Sequence, residues 1–126
     1  MRRVMVALVL VAVTAAPSWA ARVRLRGIAA SDRGATVLFV VHLQVNTTTG
    51  SGQGRFRCRP GSTSCLFPRG RLAVQFFADG SFSGQVLSVR GSCAIGGSLA
   101  GNGVVGRYSC NSTRGADTGG FALSAF

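Results

Sequence analysis

The sequence lacks lysine and glutamate, and its acidic residues are limited to Asp32, Asp79 and Asp117. It has a single histidine, and its four cysteines include no Cys-x-x-Cys pair. These absences remove most of the carboxylate, imidazole and thiolate groups from which metal sites and acid–base catalysts are built. Helical periodicity is also absent, because apolar residues recur at every second position of almost all periodic segments. We therefore expect a non-enzymatic β protein that uses no cofactor or metal.

Residues 1–20 have the composition of a cleaved secretory signal peptide. Two arginines precede an uninterrupted apolar run, and the small residues Ser18 and Ala20 lie at the positions that signal peptidase reads. The run is too short to span a bilayer comfortably, and no second run of that kind follows. We expect cleavage after Ala20, export to the periplasm or the extracellular space, and a single domain over residues 21–126 that does not insert into a membrane.

All four cysteines lie in the predicted exported domain. An even number of cysteines in a small exported domain predicts two disulfide bonds in preference to zinc ligation. Strand register, described below, predicts that Cys93 pairs with Cys110. By elimination Cys58 pairs with Cys65 and closes the short loop that contains Pro60-Gly61.

Alternating segments separated by glycine and other turn residues predict seven or eight short antiparallel strands. The clearest covers residues 36–45, whose odd positions are all apolar while His42 and Gln44 share the opposite face. Residues 46–54 are rich in glycine and threonine and are expected to form a loop. Strands joined in order by tight turns give an all-β meander, which is either closed as a barrel or folded as a sandwich. Whether a barrel interior would be hollow or filled stays open.

A register can be predicted for the hairpin that carries the last two cysteines. A two-residue turn at Gly101-Asn102 would place Cys93 opposite Cys110 and gather the apolar residues on one face. The cysteines then form a non-hydrogen-bonded pair, where Cα atoms approach to about 4.5 Å, within disulfide reach. The rival turn, Asn102-Gly103, is the better type I′ dipeptide but would pair Cys110 with Ile95. We prefer the first turn because it joins the two cysteines.

Arginine provides the main functional signal. The chain has a formal net charge of +11, and residues 21–71 hold nine of its arginines but only one aspartate. Arginines at alternate positions of a strand share one face at a spacing of about 6.6 Å, which suits phosphate, sulfate or carboxylate groups. The candidate binding residues are Arg22, Arg24, Arg26, Arg55, Arg57, Arg59, Arg69 and Arg71. The alternative, a solvated face that keeps a glycine-rich β protein soluble, stays open.

The charge restricts the class of partner. We expect binding to an anionic glycan, a lipid head group or an acidic protein, whereas nucleic acid is disfavoured because no nucleic-acid-binding motif is present and the predicted compartment is wrong. A second hypothesis is an inhibitor of an acidic secreted or envelope protein. In that hypothesis residues 59–64, held by the Cys58–Cys65 bond, form a rigid insert. The sequence does not indicate the oligomeric state.

Two motifs with possible catalytic chemistry are not assigned a catalytic role. Asp117-Thr118-Gly119 matches the short motif of aspartic proteases, in which two facing carboxylates share a proton. Here the motif occurs once, without the flanking strands that such a site needs, so we interpret it as a turn before a last strand at residues 120–126. His42 is interpreted as a polar residue on the outer face of its strand, because no nucleophile or orienting acid can be assigned to it.

Overall fold

The structure is a computed structural model that describes residues 20–59, 69–113 and 115–126. Its strands are β1 (Ala20–Ser31), β2 (Thr36–Asn46), β3 (Ser51–Cys58), β4 (Arg69–Phe76), β5 (Ser81–Ser88), β6 (Gly91–Ala100), β7 (Gly103–Ser112) and β8 (Gly115–Ala125). Each strand pairs antiparallel with the next, and β8 pairs with β1 to close the barrel. The all-β meander is therefore confirmed, and of the two predicted forms it takes the barrel.

Side chains alternate between the barrel interior and the outer surface, as the period-two pattern requires. In β2, Val41, Leu43 and Val45 are buried while His42 and Gln44 are exposed, which confirms the predicted faces of this strand. The interior is lined mainly by aliphatic and phenylalanine side chains from all eight strands. Within the described residues no buried polar or charged side chain occurs and no helix is long and apolar enough to cross a bilayer.

Glycines on the inner face let neighbouring strands and rings approach closely. Gly119 lies opposite Tyr108 and Gly106 lies opposite Phe121 in the β7–β8 pair. A Cβ atom on Gly119 would lie 2.6 Å from the Tyr108 hydroxyl oxygen, and one on Gly106 would lie 2.7 Å from Cζ of Phe121. Pairing a large ring with a glycine on the adjacent strand lets the ring pack on the inner face of a small, strongly curved barrel without a steric clash.

The predicted register of the β6–β7 hairpin is confirmed. Ala100 pairs with Gly103, so the turn is Gly101-Asn102, and Gly101 has the positive φ of +57° that favours glycine at this position. Cys93 is opposite Cys110 with a Cα–Cα distance of 3.9 Å, and the two form a disulfide bond. Cys65 and residues 1–19 lie outside the described residues, so the Cys58–Cys65 bond and the signal peptide stay predictions.

One predicted loop and one predicted turn are wrong. Residues 46–54 are not a single loop, because β3 begins at Ser51 and includes Gly52 and Gly54. Gly54 is required inside the strand since a Cβ atom there would overlap the backbone oxygen of His42. Asp117-Thr118-Gly119 is not a turn either, because it lies within β8 and Asp117 pairs with Cys110 of β7. In both places glycine permits close contact between strands and does not mark a turn.

Candidate functional site

Seven of the eight predicted binding residues lie together on the outer surface of four consecutive strands. The seven are all exposed and come from three strands: Arg22, Arg24 and Arg26 of β1, Arg55 and Arg57 of β3, and Arg69 and Arg71 of β4. We call this set the arginine face. Arg59, the eighth predicted residue, directly follows β3, and its backbone N–H donates a hydrogen bond to the Leu38 carbonyl oxygen at 2.7 Å.

Strand register aligns the arginine face into rows that run across the sheet. One row reads Arg24, His42, Arg55, Arg71 over β1 to β4. The next reads Arg26, Val40, Arg57, Arg69. Adjacent strands are about 4.8 Å apart, so each row places two arginines directly opposite each other on β3 and β4 and a third arginine two strands away. The sequence predicted arginines along each strand, and the register additionally joins them across strands.

Positive charges face each other in these rows without a negative partner. Arg55 is opposite Arg71, and Arg57 is opposite Arg69. Like charges at directly opposed positions destabilise a sheet. Within the part of the chain that the structure describes, none of the arginines of the arginine face forms an ion pair, and the ion pair present joins Arg107 to Asp32. The arrangement is therefore electrostatically unfavourable in the isolated protein and would be relieved by an external anion.

Two apolar side chains support the arginine face. Val40 points outward between Arg26 and Arg57 in the register, yet only 7% of it is exposed. The aliphatic stems of long arginine side chains can cover such a residue while the charged ends stay in water. On the other side of β1, the guanidinium carbons of Arg24 and Arg26 lie 5.0 Å and 4.9 Å from the centroid of the Phe126 ring. Phe126 thus holds two of the guanidinium groups by cation–π contact, a role that the sequence analysis missed.

His42 is exposed on β2 between Arg24 and Arg55, as the sequence analysis placed it. Neither of the two cavities described below is lined by His42.

The outer surface of β5 to β8 differs in composition. Its outward positions are mostly serine, alanine and glycine, including Ser83, Ala94, Ser98 and Ala122. Arg107 of β7 also points outward, but its guanidinium donates to Asp32 at 2.7 Å. Thr118 donates to the same Asp32 oxygen atom, and this hydrogen bond is the largest cause that lowers the pKa of the Asp32 carboxyl below its usual value. The unpaired positive charge of the described barrel is thus concentrated on the arginine face.

Inside the barrel, a small polar group lies at the end formed by the β1–β2 and β7–β8 turns. Asp117 accepts hydrogen bonds from the Ser31 hydroxyl at 2.5 Å and from the Tyr108 hydroxyl at 3.0 Å. We call these three residues the Asp117 cluster. Desolvation, followed by the hydrogen bond to Asp117, raises the pKa of Tyr108 to about 12. The sequence does not predict this cluster, because its local pattern indicates a turn at Asp117 and Ser31 is far from Asp117 in the sequence.

The barrel interior is hollow next to the Asp117 cluster. A cavity of about 290 Å³ reaches from this cluster and Arg33 into the barrel, where its walls are apolar. A second cavity of about 340 Å³ lies toward the opposite end and is lined in part by Leu99, Asn102 and Phe126. The sequence left open whether the interior is hollow or filled, and the structure shows that it is not filled.

Among the described residues, no three histidine, cysteine or aspartate side chains lie close enough together to hold a metal ion. The rigid insert of the inhibitor hypothesis lies outside the described residues except for Arg59. Comparisons of the chain with protein-family models, with curated proteins and with solved structures gave no match. The function must therefore be inferred from the arginine face and the barrel interior themselves.

Proposed function

We propose that this protein is a non-enzymatic binding domain, exported from the cell, whose arginine face attaches to an extended polyanionic surface. The observation that carries the proposal is the register, which places the unpaired arginines of β1, β3 and β4 side by side on one wall of the barrel. The structure thereby extends a pattern along the sequence into a two-dimensional array of guanidinium groups.

The size and shape of the array favour a surface with repeated charges over a single small anion. The array extends over four strands, about 14 Å across, and over five residues along β1, about 13 Å. It lies on the outer, convex side of a closed barrel, so its guanidinium groups do not converge on one point. A sulfated glycan chain or a bilayer of anionic head groups offers several charges at such spacings, and each can accept forked hydrogen bonds from arginine.

Electrostatics supply the driving force. The opposed pairs Arg55–Arg71 and Arg57–Arg69 repel each other in the free protein, and a phosphate or sulfate between two guanidinium groups replaces repulsion with two attractions. Because the side chains are exposed, salt screens these interactions over about 8–10 Å at physiological ionic strength. Binding is therefore expected to weaken as salt concentration rises.

The test measures retention of the purified protein on two probes, a heparin-type sulfated glycan and phosphatidylglycerol vesicles. The critical variant is Arg55→Glu/Arg57→Glu. Each cation near an anionic surface contributes on the order of 1 kcal/mol, so loss of two weakens binding by at least about 30-fold. The glycan and vesicle arms distinguish the two sources of repeated anionic charge.

A charge-matched control separates the arginine face from net charge. Ser92→Glu, Ser98→Glu, Ala100→Glu and Ser109→Glu together change the net charge equally, but they lie on β6 and β7, which do not pair with any strand of the arginine face, and no two of them are directly opposed. This control is expected to keep most of the binding. Equal losses in the two variants, or binding that does not respond to salt, would contradict the proposal. A salt-resistant complex with one purified acidic protein would instead support the inhibitor hypothesis.

A further inference from the structure

The cavity beside the Asp117 cluster has the size and the walls of a small-molecule site. Its volume is about 290 Å³, roughly twice that of an engineered apolar cavity of about 150 Å³ that binds benzene. Its walls include the rings of Phe39, Phe56, Phe76, Phe82 and Phe121. An apolar cavity of this kind holds water poorly and gains free energy when an apolar molecule fills it. A molecule with one or two fused aromatic rings matches this space.

The Asp117 cluster determines which polar group a ligand can carry. The hydroxyl groups of Ser31 and Tyr108 each donate their single hydrogen to Asp117. Each carboxylate oxygen of Asp117 therefore accepts one hydrogen bond and keeps room for another, while the two hydroxyl oxygens have only acceptor positions left. The unused capacity of the cluster is entirely for accepting, so a ligand must donate a hydrogen bond to it.

The charges of Asp117 and Arg33 further restrict the polar group that a ligand can carry. A carboxylate or phosphate group at the cluster would face the negative charge of Asp117 and would have no proton to donate. A cationic group would meet Arg33, which lines the same end of the cavity. An uncharged hydroxyl group satisfies both restrictions.

We propose that the barrel interior binds a small aromatic or aliphatic alcohol, with its apolar body among the phenylalanine rings and its hydroxyl group donating to Asp117. This site lies inside the barrel and does not involve the arginine face on the outside. Surface attachment and binding of a small molecule are therefore two separate properties of the chain.

The test uses naphthol as the probe, with naphthalene and naphthoate as matched compounds that lack the hydroxyl group or carry a negative charge. Calorimetry and protein NMR measure binding to the full-length protein. We expect naphthol to bind at least roughly tenfold more tightly than either compound, as is typical for a hydrogen bond to a charged group. The resonances of Tyr108, the only tyrosine in the chain, and of Val86 should shift on binding.

Two neighbouring positions on β5 provide a matched pair of variants. Val86 lines the cavity, whereas Leu87 points outward and is 53% exposed. Val86→Phe occupies part of the cavity and is expected to weaken naphthol binding by at least roughly tenfold. Leu87→Phe introduces the same ring on the outer surface and is expected to leave naphthol binding unchanged. Asp117→Asn should reduce the preference for naphthol over naphthalene, because the acceptor loses its charge.

Several outcomes would overturn the proposal. These are no shift of the Tyr108 and Val86 resonances in the unmodified protein, equal affinity for naphthol and naphthalene, or equal effects of Val86→Phe and Leu87→Phe. The first two need no variant, so the proposal stays testable if Val86→Phe fails to fold. Arg55→Glu/Arg57→Glu should leave naphthol binding intact, which keeps this result separate from that of the arginine face.

Discussion

The two halves of the barrel wall, β1–β4 and β5–β8, differ in the charge of their outer surfaces and in the contacts that stabilise them. The outer surface of the first half carries unpaired arginines, while its inner surface supplies most of the buried apolar side chains, such as Leu25, Val45 and Phe76. The second half is nearly neutral outside, and many of its inner residues, including Ile95 and Phe121, are only partly buried. It is held instead by a disulfide bond and by the Asp117 cluster, which joins it to Ser31 of β1.

This comparison suggests why the charge lies where it does. Opposed arginines cost stability, and they are tolerated on strands whose inner face gains the most from burial of apolar surface. The glycine-rich half gains less from burial and depends on covalent and specific polar contacts. If this is correct, variants in the second half should change stability most, and variants of the arginine face should change binding most.

The largest expected effect on stability is loss of the Cys93–Cys110 bond. The two cysteines are separated by 17 positions, and closing a loop of about this length contributes roughly 3 kcal/mol to the free energy of unfolding. Cys93→Ala/Cys110→Ala should lose about that amount in denaturant unfolding. Binding to the sulfated glycan should not change under conditions in which the variant is folded. A loss below about 1 kcal/mol would show that the second half does not depend on this bond.

The next largest effect on stability is expected from substitution of Gly119 in β8, compared with the same substitution of its neighbour Gly120. A Cβ atom on Gly119 would overlap the Ala30 carbonyl oxygen and lie 2.6 Å from the Tyr108 hydroxyl oxygen, whereas one on Gly120 would have its nearest contact at 3.5 Å. Gly119→Ala should lower the unfolding free energy by about 1–3 kcal/mol through overpacking. Gly120→Ala should be neutral or stabilising by up to about 0.5 kcal/mol, since alanine loses less backbone entropy. Similar values for both would refute the close packing of the inner glycines.

Parts of this architecture could be read from the sequence because local chemistry determines them. Alternation alone identified the inner and outer faces of β2, and the requirement to join two cysteines selected the turn Gly101-Asn102 over Asn102-Gly103. A period of two predicts seven of the eight arginines on one face of their strands, whereas Arg59 follows the end of β3. These inferences need only a strand and its nearest turn.

The remainder depends on contacts between distant segments. Gly54 and Gly119 looked like turn residues, since nothing local shows that another strand approaches their Cα atoms. The rows of the arginine face require the register of three successive strand pairs, including β3–β4, whose strands are separated in sequence by residues 59–68. The Asp117 cluster joins Ser31 to a residue 86 positions later, and the hollow interior follows from closure of the barrel. The alternation of apolar and polar residues along the chain predicts neither the Asp117 cluster nor the hollow interior.

The pH dependence of stability tests the Asp117 cluster. The pKa of Tyr108 is raised from 10.0 to about 12 by desolvation and by Asp117, so the folded state holds this proton more tightly than the unfolded state. The contribution is fully present below pH 10 and is lost as pH rises from about 10 to about 12. The ultraviolet absorbance of the phenolate reports this titration directly, because Tyr108 is the only tyrosine.

Two variants sharpen this measurement. Asp117→Asn should move the Tyr108 titration down toward the ordinary value, since it removes the negative charge that opposes phenolate formation. Asp79→Asn, in the β4–β5 turn, serves as the control because Asp79 interacts with Ser81 and not with Tyr108. A folded protein whose tyrosine titrates near its ordinary pKa would show that the cluster does not form.

The smallest expected effect concerns the cost of the arginine face itself. Arg55 lies opposite Arg71 and next to His42, whereas Arg22 lies opposite the neutral Gln44. Arg55→Gln should therefore stabilise the barrel by about 0.2–1 kcal/mol, with the gain shrinking as salt is added, while Arg22→Gln should change little. Glycan binding should weaken in the same Arg55→Gln protein. If Arg55→Gln stabilises the barrel and weakens glycan binding, Arg55 contributes to binding at a cost in stability. If Arg55→Gln destabilises the barrel, the arginines contribute to the stability of the fold instead.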